Sequence, residues 1–207
     1  SWKTAGVAIP VFSLRSDDSF GTGDFMDLKK MVDWAKMTGQ SFIQILPIND
    51  TILNHSNYDS YPYNAVSVYA LHPNYLRLEK MGIPSKKKDV AYFEKKKKEL
   101  NENDFSDYQN VLNEKWKYFK LIFEQENEQI FQSKNYKIFF ENNKEWLVPY
   151  AVFSYLRDKN GTPEFGKWAE YSVYNAKEIE QFADPNSTHY AEIALFYFLQ
   201  YHLHTQL

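Results

Sequence analysis

Gly6-Val7-Ala8-Ile9-Pro10-Val11-Phe12 and Phe42-Ile43-Gln44-Ile45-Leu46-Pro47-Ile48, the second leading into Asn49-Asp50-Thr51, decide the fold. Both are short, nearly continuous apolar runs, the pattern of strands covered on two faces. Between them lies a single amphipathic helix. Asp24 stands as its N-cap and Asp27 favours its positive end. Phe25, Leu28, Met31, Val32 and Ala35 form an i, i+3, i+4, i+7 stripe, and Thr38-Gly39 closes the helix. Strand, helix and strand in this order read as one βαβ unit of a parallel, barrel-type sheet, whose chemistry sits just past the strand ends. Pro10 removes a ladder donor and marks an edge or an irregularity in the first strand.

Outward from this unit the character changes. The polar loop after residue 49 contains Asp59-Ser60-Tyr61-Pro62-Tyr63-Asn64. A short helix is expected over Asn74 to Met81, ended by Gly82 and Pro84, and a lysine-rich helix over Lys86 to Leu100. From Ser106, the spacing of Tyr108, Val111, Leu112, Trp116, Phe119, Ile122 and Phe123 predicts a long amphipathic helix. Another is expected to start near Pro149, a residue suited to a first turn, and to end at Gly161 and Pro163. A last helix follows Ser187 or Thr188 as cap, with Tyr190, Ile193, Ala194, Tyr197, Phe198 and Tyr201 inward. The expected class is therefore α/β: a partial (β/α)8 TIM barrel, its first βαβ unit and a substrate-facing loop over 1–73, then a mostly α-helical subdomain over 74–207. A whole barrel of this type needs about 250 residues and eight strands, and only two strands are legible.

The 207 residues carry a net charge of −3, which gives no long-range attraction to nucleic acid or anionic membrane. Lys86-Lys87-Lys88 and Lys95-Lys96-Lys97-Lys98 are interleaved with Glu94, Glu99 and Glu102 and read as a solvated helix face. The chain has no cysteine, so disulfides and thiolate metal sites are excluded. Ser1-Trp2-Lys3-Thr4 lacks the long apolar region of a signal peptide, and Ile193 to Leu199 is too short to span a bilayer. The expected setting is cytoplasmic.

His202 and His204 have strand-type metal spacing in a helical context, where such residues diverge, so no metal is expected. Gly21-Thr22-Gly23 lacks the remainder of a dinucleotide or phosphate-binding pattern, and no Gly-x-Ser-x-Gly occurs. No cofactor is expected. The candidates are instead polar groups past the second strand: Asn49 and Asp50, then Asp59 in the adjacent loop. Retaining glycoside chemistry needs two carboxyl groups about 5 Å apart, whereas Asp50 and Asp59 are equally suited to turns. Tyr61-Pro62-Tyr63-Asn64 combines fixed aromatic rings with donors and acceptors, which suits a polyhydroxylated ligand; the same rings also suit a rigid loop packed on the helices. Most other Tyr and Phe residues, 16 of each, recur at helical spacing and read as core.

Gly6 to Ser16, Gly21-Thr22-Gly23-Asp24-Phe25, Leu46-Pro47-Ile48-Asn49-Asp50-Thr51 and Asp59 to Pro73 together resemble the start of the catalytic domain of the 4-α-glucanotransferases, the amylomaltases or disproportionating enzymes, especially the disproportionating-enzyme-2-like forms. The resemblance implies a (β/α)8 barrel with helical insertions, cofactor-free, that transfers α-1,4-glucan segments between malto-oligosaccharides or glycogen- and starch-like acceptors. It also implies a glycosyl–aspartate intermediate and three carboxylates on later barrel strands. Tyr63 matches a tyrosine that lines the family's donor sugar site. Tyr61 stands where short bacterial forms have serine, and Asp59 lies one residue from the loop's usual aspartate. The resulting expectation is substrate contact through Tyr63, Tyr61, Asp59, Asn49 and Asp50, with no catalytic residue and no turnover by this chain alone. Two alternatives are a non-catalytic malto-oligosaccharide-binding module and a scaffold for docking or oligomerisation. Two parallel strands leave edges open, so self-association or a helix-covered sheet is expected.

Overall fold

A computed structural model describes residues 3–207; the reading of a leaderless start falls in part on Ser1 and Trp2, outside the described residues. Strand β1 (Gly6–Ile9) and strand β2 (Phe42–Ile45) pair in parallel, with Gly6 opposite Phe42 and Ile9 opposite Ile45. Helix α1 (Phe25–Met37) crosses between them and packs on β2. The expected unit is present, but its strands are shorter than read. Pro10 ends the ladder, and Val11–Ser13 forms a 3₁₀ turn whose first residue is buried. Gly23 follows this turn closely: its N–H donates to the Phe12 carbonyl at 3.1 Å, and a Cβ there would lie 2.0 Å from the Val11 oxygen.

One expectation is corrected. Neither strand is covered on both faces: Ala8, Phe42 and Gln44 are exposed, and no residue of either strand is fully buried. Two strands with a single helix cannot cover both faces of a sheet, so Val32 and Met37 of α1 also stand in solvent. The apolar sequence records a demand for burial that this part of the fold does not satisfy.

Helices α2 (Lys87–Asn101), α3 (Tyr108–Gln132), α4 (Lys134–Asn160), α5 (Ala176–Phe182) and α6 (Tyr190–Gln206) form the rest. The lysines of α2 face acids, Lys96 pairing with Glu99 and Lys97 with Glu79, both at 2.7 Å. Asn74 to Met81 is not one helix. It forms two 3₁₀ turns, Pro73–Tyr75 and Leu78–Lys80, separated by extended residues whose backbone is held from outside. The α4 start is also corrected. Pro149 lies deep inside α4, which begins at Ser133, where the side-chain oxygen accepts from the Tyr136 N–H at 3.2 Å. Proline costs the carbonyl four residues earlier its helical donor, and that residue, Glu145, is exposed to water. Tyr136, Leu147, Tyr150 and Ala151 are buried along the same helix, so packing on both sides of the proline holds it together. Gly161, with φ of +68°, ends α4 in the left-handed conformation. The N-cap of α6 is His189, which makes no side-chain cap bond. That helix is buried nearly all round, as a central element rather than an amphipathic one.

Two apolar clusters result. One joins Val11 and Phe25 of the βαβ unit to Leu76, Phe119, Phe198 and Leu203 of the helical part, and so crosses residue 73. The other, including Tyr136, Leu147, Ala151, Ile193 and Tyr197, is confined almost wholly to the helices. Among the described residues, no helix is long and apolar enough to cross a membrane.

Candidate functional site

Past the ends of β1 and β2 lies a cleft of about 180 Å³. Phe12 and Pro47 bring the strand exits to it, the 49–62 loop contributes Asn49, Thr51, Asp59 and Ser60, and the helical side contributes His72, Asn74 and Tyr108. The position of this cleft follows from the parallel pairing, since both strands point their C-terminal ends the same way.

The segment after β2 continues as a short antiparallel contact. Asp50 N–H donates to the Ala70 carbonyl at 2.9 Å, and His72 N–H donates to the Ile48 carbonyl at 2.9 Å. Helix α6 clamps the returning strand-like chain by two glutamine amides. Gln200 accepts from the Leu71 N–H at 2.9 Å and donates to the Leu71 carbonyl at 2.8 Å. Gln206 does the same to Arg77, at 2.8 and 3.1 Å. Each side chain satisfies a buried peptide group as a neighbouring strand would. Lys115, fully buried on α3, donates to the carbonyls of Asn74 and Leu76, and burial pushes its pKa down to about 8.

Below the cleft a charged core fixes α1 to this segment. Arg77 donates to both oxygens of Asp24, at 2.5 and 3.0 Å, and to Asp27 at 2.9 Å. The Asp24 cap is as read: its carboxylate accepts from the Met26 and Asp27 amides, and Asp27 returns the bond to the Asp24 N–H. Burial raises the Asp27 pKa, but the Ser16 and Ser19 hydroxyls and Arg77 outweigh it, leaving the carboxyl below the usual range.

The five sequence candidates have different surroundings. Asn49 lines the cleft, and its amide donates to the Ala70 carbonyl at 3.5 Å. Asp50 is buried and faces inward: its carboxylate accepts from the Ile52 N–H at 3.0 Å and from the Tyr150 hydroxyl at 2.7 Å. Asp59 lines the cleft, but its carboxylate accepts from the Asn54 and Ser56 amides, closing a 3₁₀ turn at Asn57–Ser60. Tyr61 and Tyr63 are each 60% exposed, their ring centroids 5.5 Å apart, in the loop whose Pro62 reaches the cleft. The cleft therefore brings together Asn49 and Asp59, while Asp50 lies behind it and the two tyrosines stand beside it in solvent.

His72 and Tyr108 went unread as site residues. His72 Nδ1 accepts from the Asn74 N–H at 3.0 Å, which leaves the proton on Nε2 to donate to the Tyr108 hydroxyl oxygen at 2.8 Å. Burial lowers the His72 pKa, so the ring is held neutral. The available signal was a histidine directly before Pro73-Asn74 in an otherwise apolar stretch. Tyr108 carried no such signal, because its spacing matches the buried stripe of α3. Among the described residues, no group of three acidic, histidine or cysteine side chains is placed to hold a metal.

Comparison with known proteins agrees with this geometry. The 4-alpha-glucanotransferase family model, Glyco_hydro_77, matches residues 9–207. The chain is 40% identical over its whole length to the 4-alpha-glucanotransferase DPE2 of Oryza sativa subsp. japonica, of which it spans 22%. It is 34% identical over 97% of its length to a 4-alpha-glucanotransferase of Chlamydia caviae, of which it spans 38%. Among solved structures, it superposes on amylomaltase from Corynebacterium glutamicum with a TM-score of 0.69 at 20% identity, covering 98% of this chain and 27% of that one. Amylomaltase from Streptococcus agalactiae, solved in complex with acarbose, gives a TM-score of 0.70 at 16% identity, with 99% and 39% covered. At these identities the structural likeness concerns the fold. The family match over nearly the whole sequence, together with a βαβ unit that opens its cleft past the strand ends, places this chain in the 4-alpha-glucanotransferase family.

Proposed function

We propose that these residues form the first part of a 4-α-glucanotransferase catalytic domain: barrel staves and a substrate-facing loop over 1–73, and a helical insertion over 74–207. The parent protein moves α-1,4-glucan segments between malto-oligosaccharides, or onto glycogen- or starch-like acceptors, by retaining double displacement in a cytoplasmic setting. Family membership supports the reaction. The observation that carries the division of labour is the state of the two rim carboxylates. Asp50 and Asp59 are both occupied by the protein's own donors, so neither is free to act as nucleophile or proton donor. The catalytic carboxylates accordingly lie outside these residues. The loop holds sugar: Tyr63 and Tyr61 offer ring faces, Asn49 an amide, and Asp59 and Asp50 keep the loop in shape.

The pure chain is expected to release neither glucose nor longer oligosaccharides from maltotriose, and clear turnover would refute the assignment. In isothermal titration with maltoheptaose, Tyr63→Ala is expected to lose the weak binding at this loop. An identical isotherm for the variant would remove Tyr63 from the site.

The same reading accounts for the uncovered sheet. Val32, Met37 and Phe42 are 52, 79 and 49% exposed, and each strand has one free edge. The isolated chain is therefore expected to self-associate, its weight-average mass in sedimentation equilibrium rising with concentration. Phe42→Lys should suppress that rise. A wild-type chain that stays monomeric at high concentration would contradict the expectation.

A further inference from the structure

A second concavity, of about 520 Å³, lies on the helical part, away from the strand ends. Its walls come from the 66–69 segment, α4, the loop after α4 and the start of α5. Tyr69 and Trp146 stack with ring centroids 5.8 Å apart and planes 22° apart, forming one aromatic surface. Phe165, Trp168, Tyr171 and Tyr174 complete the aromatic lining, and Trp168 packs 5.8 Å from Phe153. The indoles are fixed by hydrogen bonds, Trp146 Nε1 donating to Asn143 at 3.0 Å and Trp168 Nε1 to the Thr162 carbonyl at 2.9 Å. Tyr171 is held at φ of +62°, a conformation rare for a residue with a side chain.

Two features select an occupant. The lining contains no Asp, Glu, Lys, Arg or His, which leaves nothing to neutralise a phosphate, a nucleotide or a charged peptide. Yet Tyr69, Phe165 and Tyr174 remain 59, 52 and 64% exposed, so ring faces stay available beside tyrosine hydroxyls. Rings with hydroxyls and no charge match a neutral sugar polymer, whose units pair an apolar C–H face with a polar rim. The groove is also continuous with the loop at the strand ends: residues 66–69 follow directly on Tyr61 to Asn64, and Tyr150 both lines the groove and donates to Asp50 behind the cleft. At nearly three times the volume of the cleft, it accommodates more than one sugar unit.

We propose that this groove is a second α-1,4-glucan binding site, separate from the cleft past the strands, which holds a remote stretch of the same chain by stacking on Tyr69–Trp146 and Tyr174. The proposal rests on the glucanotransferase reading for the identity of the sugar.

The test is titration of the 207-residue protein with maltoheptaose, followed by calorimetry and by the fluorescence of Trp146 and Trp168, with cellohexaose as control. Wild type is expected to bind maltoheptaose with a change in tryptophan emission. The double variant Tyr69→Ala/Tyr174→Ala should bind at least tenfold more weakly and lose the emission change, whereas Tyr63→Ala should keep it. Both substituted residues are largely exposed, and unchanged far-ultraviolet circular dichroism checks the fold. Val68→Arg, at a position 79% exposed, should block the groove without removing an aromatic ring. Unchanged affinity and emission in both the double variant and Val68→Arg would overturn the proposal, as would equal binding of cellohexaose or no binding at all. Loss of all binding in Tyr63→Ala alone would overturn the groove while leaving the glucanotransferase reading intact. Turnover of maltotriose by the chain would overturn that reading's placement of the catalytic groups without touching the groove.

Discussion

Arg77→Met is expected to destabilise the chain by about 3–5 kcal/mol, the cost of leaving buried charge without its partner. Arg77, Asp24 and Asp27 are all nearly excluded from solvent, with side-chain exposures of 8, 1 and 2%. Methionine conserves most of the packed volume, so the loss comes from two stranded carboxylates rather than from a cavity. A domain of this size holds about 5–15 kcal/mol in total, so urea denaturation should show a large fall in midpoint. The pH dependence carries the sign of the mechanism. The folded Asp27 pKa lies below its unfolded value of 3.8. Its contribution is therefore complete above that value and is lost as pH falls through the depressed folded one. Acidification below about pH 4 should weaken the wild type and narrow its gap to Arg77→Met, because protonation removes the uncompensated charge from the variant. Adding Asp24→Asn and Asp27→Asn to Arg77→Met should recover part of the loss at pH 7. A gap that stays constant from pH 7 to pH 3 would show that packing, not charge, sets the cost.

Phe198→Ala should have an effect of similar size, about 3–5 kcal/mol. Its ring is fully buried on α6, with Phe123 at 5.4 Å, Phe131 at 6.5 Å and His202 at 4.5 Å between centroids. The cluster it belongs to also contains Val11 and Phe25, so the vacancy weakens the βαβ unit and the helices together. Far-ultraviolet signal and aromatic near-ultraviolet signal are expected to melt in one transition, at a lower temperature than wild type. A control at Phe165, half exposed on the surface, should stay within about 0.5 kcal/mol. Separate melting of the two signals in Phe198→Ala would show that the cluster does not couple the two parts.

These expectations divide by the range of the forces behind them. The βαβ order, the Asp24 cap and the Gly39 and Gly161 stops were legible because each depends on neighbours within a few residues. Pro149 misled for the same reason. Local chemistry favours proline in a first turn, and only burial of Leu147, Tyr150 and Ala151 shows that the helix continues through it. The 73–81 segment carries helix-like spacing, yet its amides and carbonyls are taken by Gln206 and Lys115 from α6 and α3. No local pattern announces such a partner.

The sequence by itself determined the family, the strand–helix–strand start and the loop that meets sugar, since these are written in contiguous residues whose geometry is set by backbone propensity and apolar spacing. Tertiary structure alone decided what the polar groups do. Asp50 meets Tyr150 from 100 residues away, and Arg77 meets Asp24 from 53. A carboxylate in a loop is free or occupied according to which distant donor the packing delivers, and sequence separation carries no information about that distance. The aromatic groove has the same origin. Tyr69, Trp146 and Tyr174 are unremarkable apart, and they form a surface only where the 66–69 segment, α4 and the loop before α5 meet.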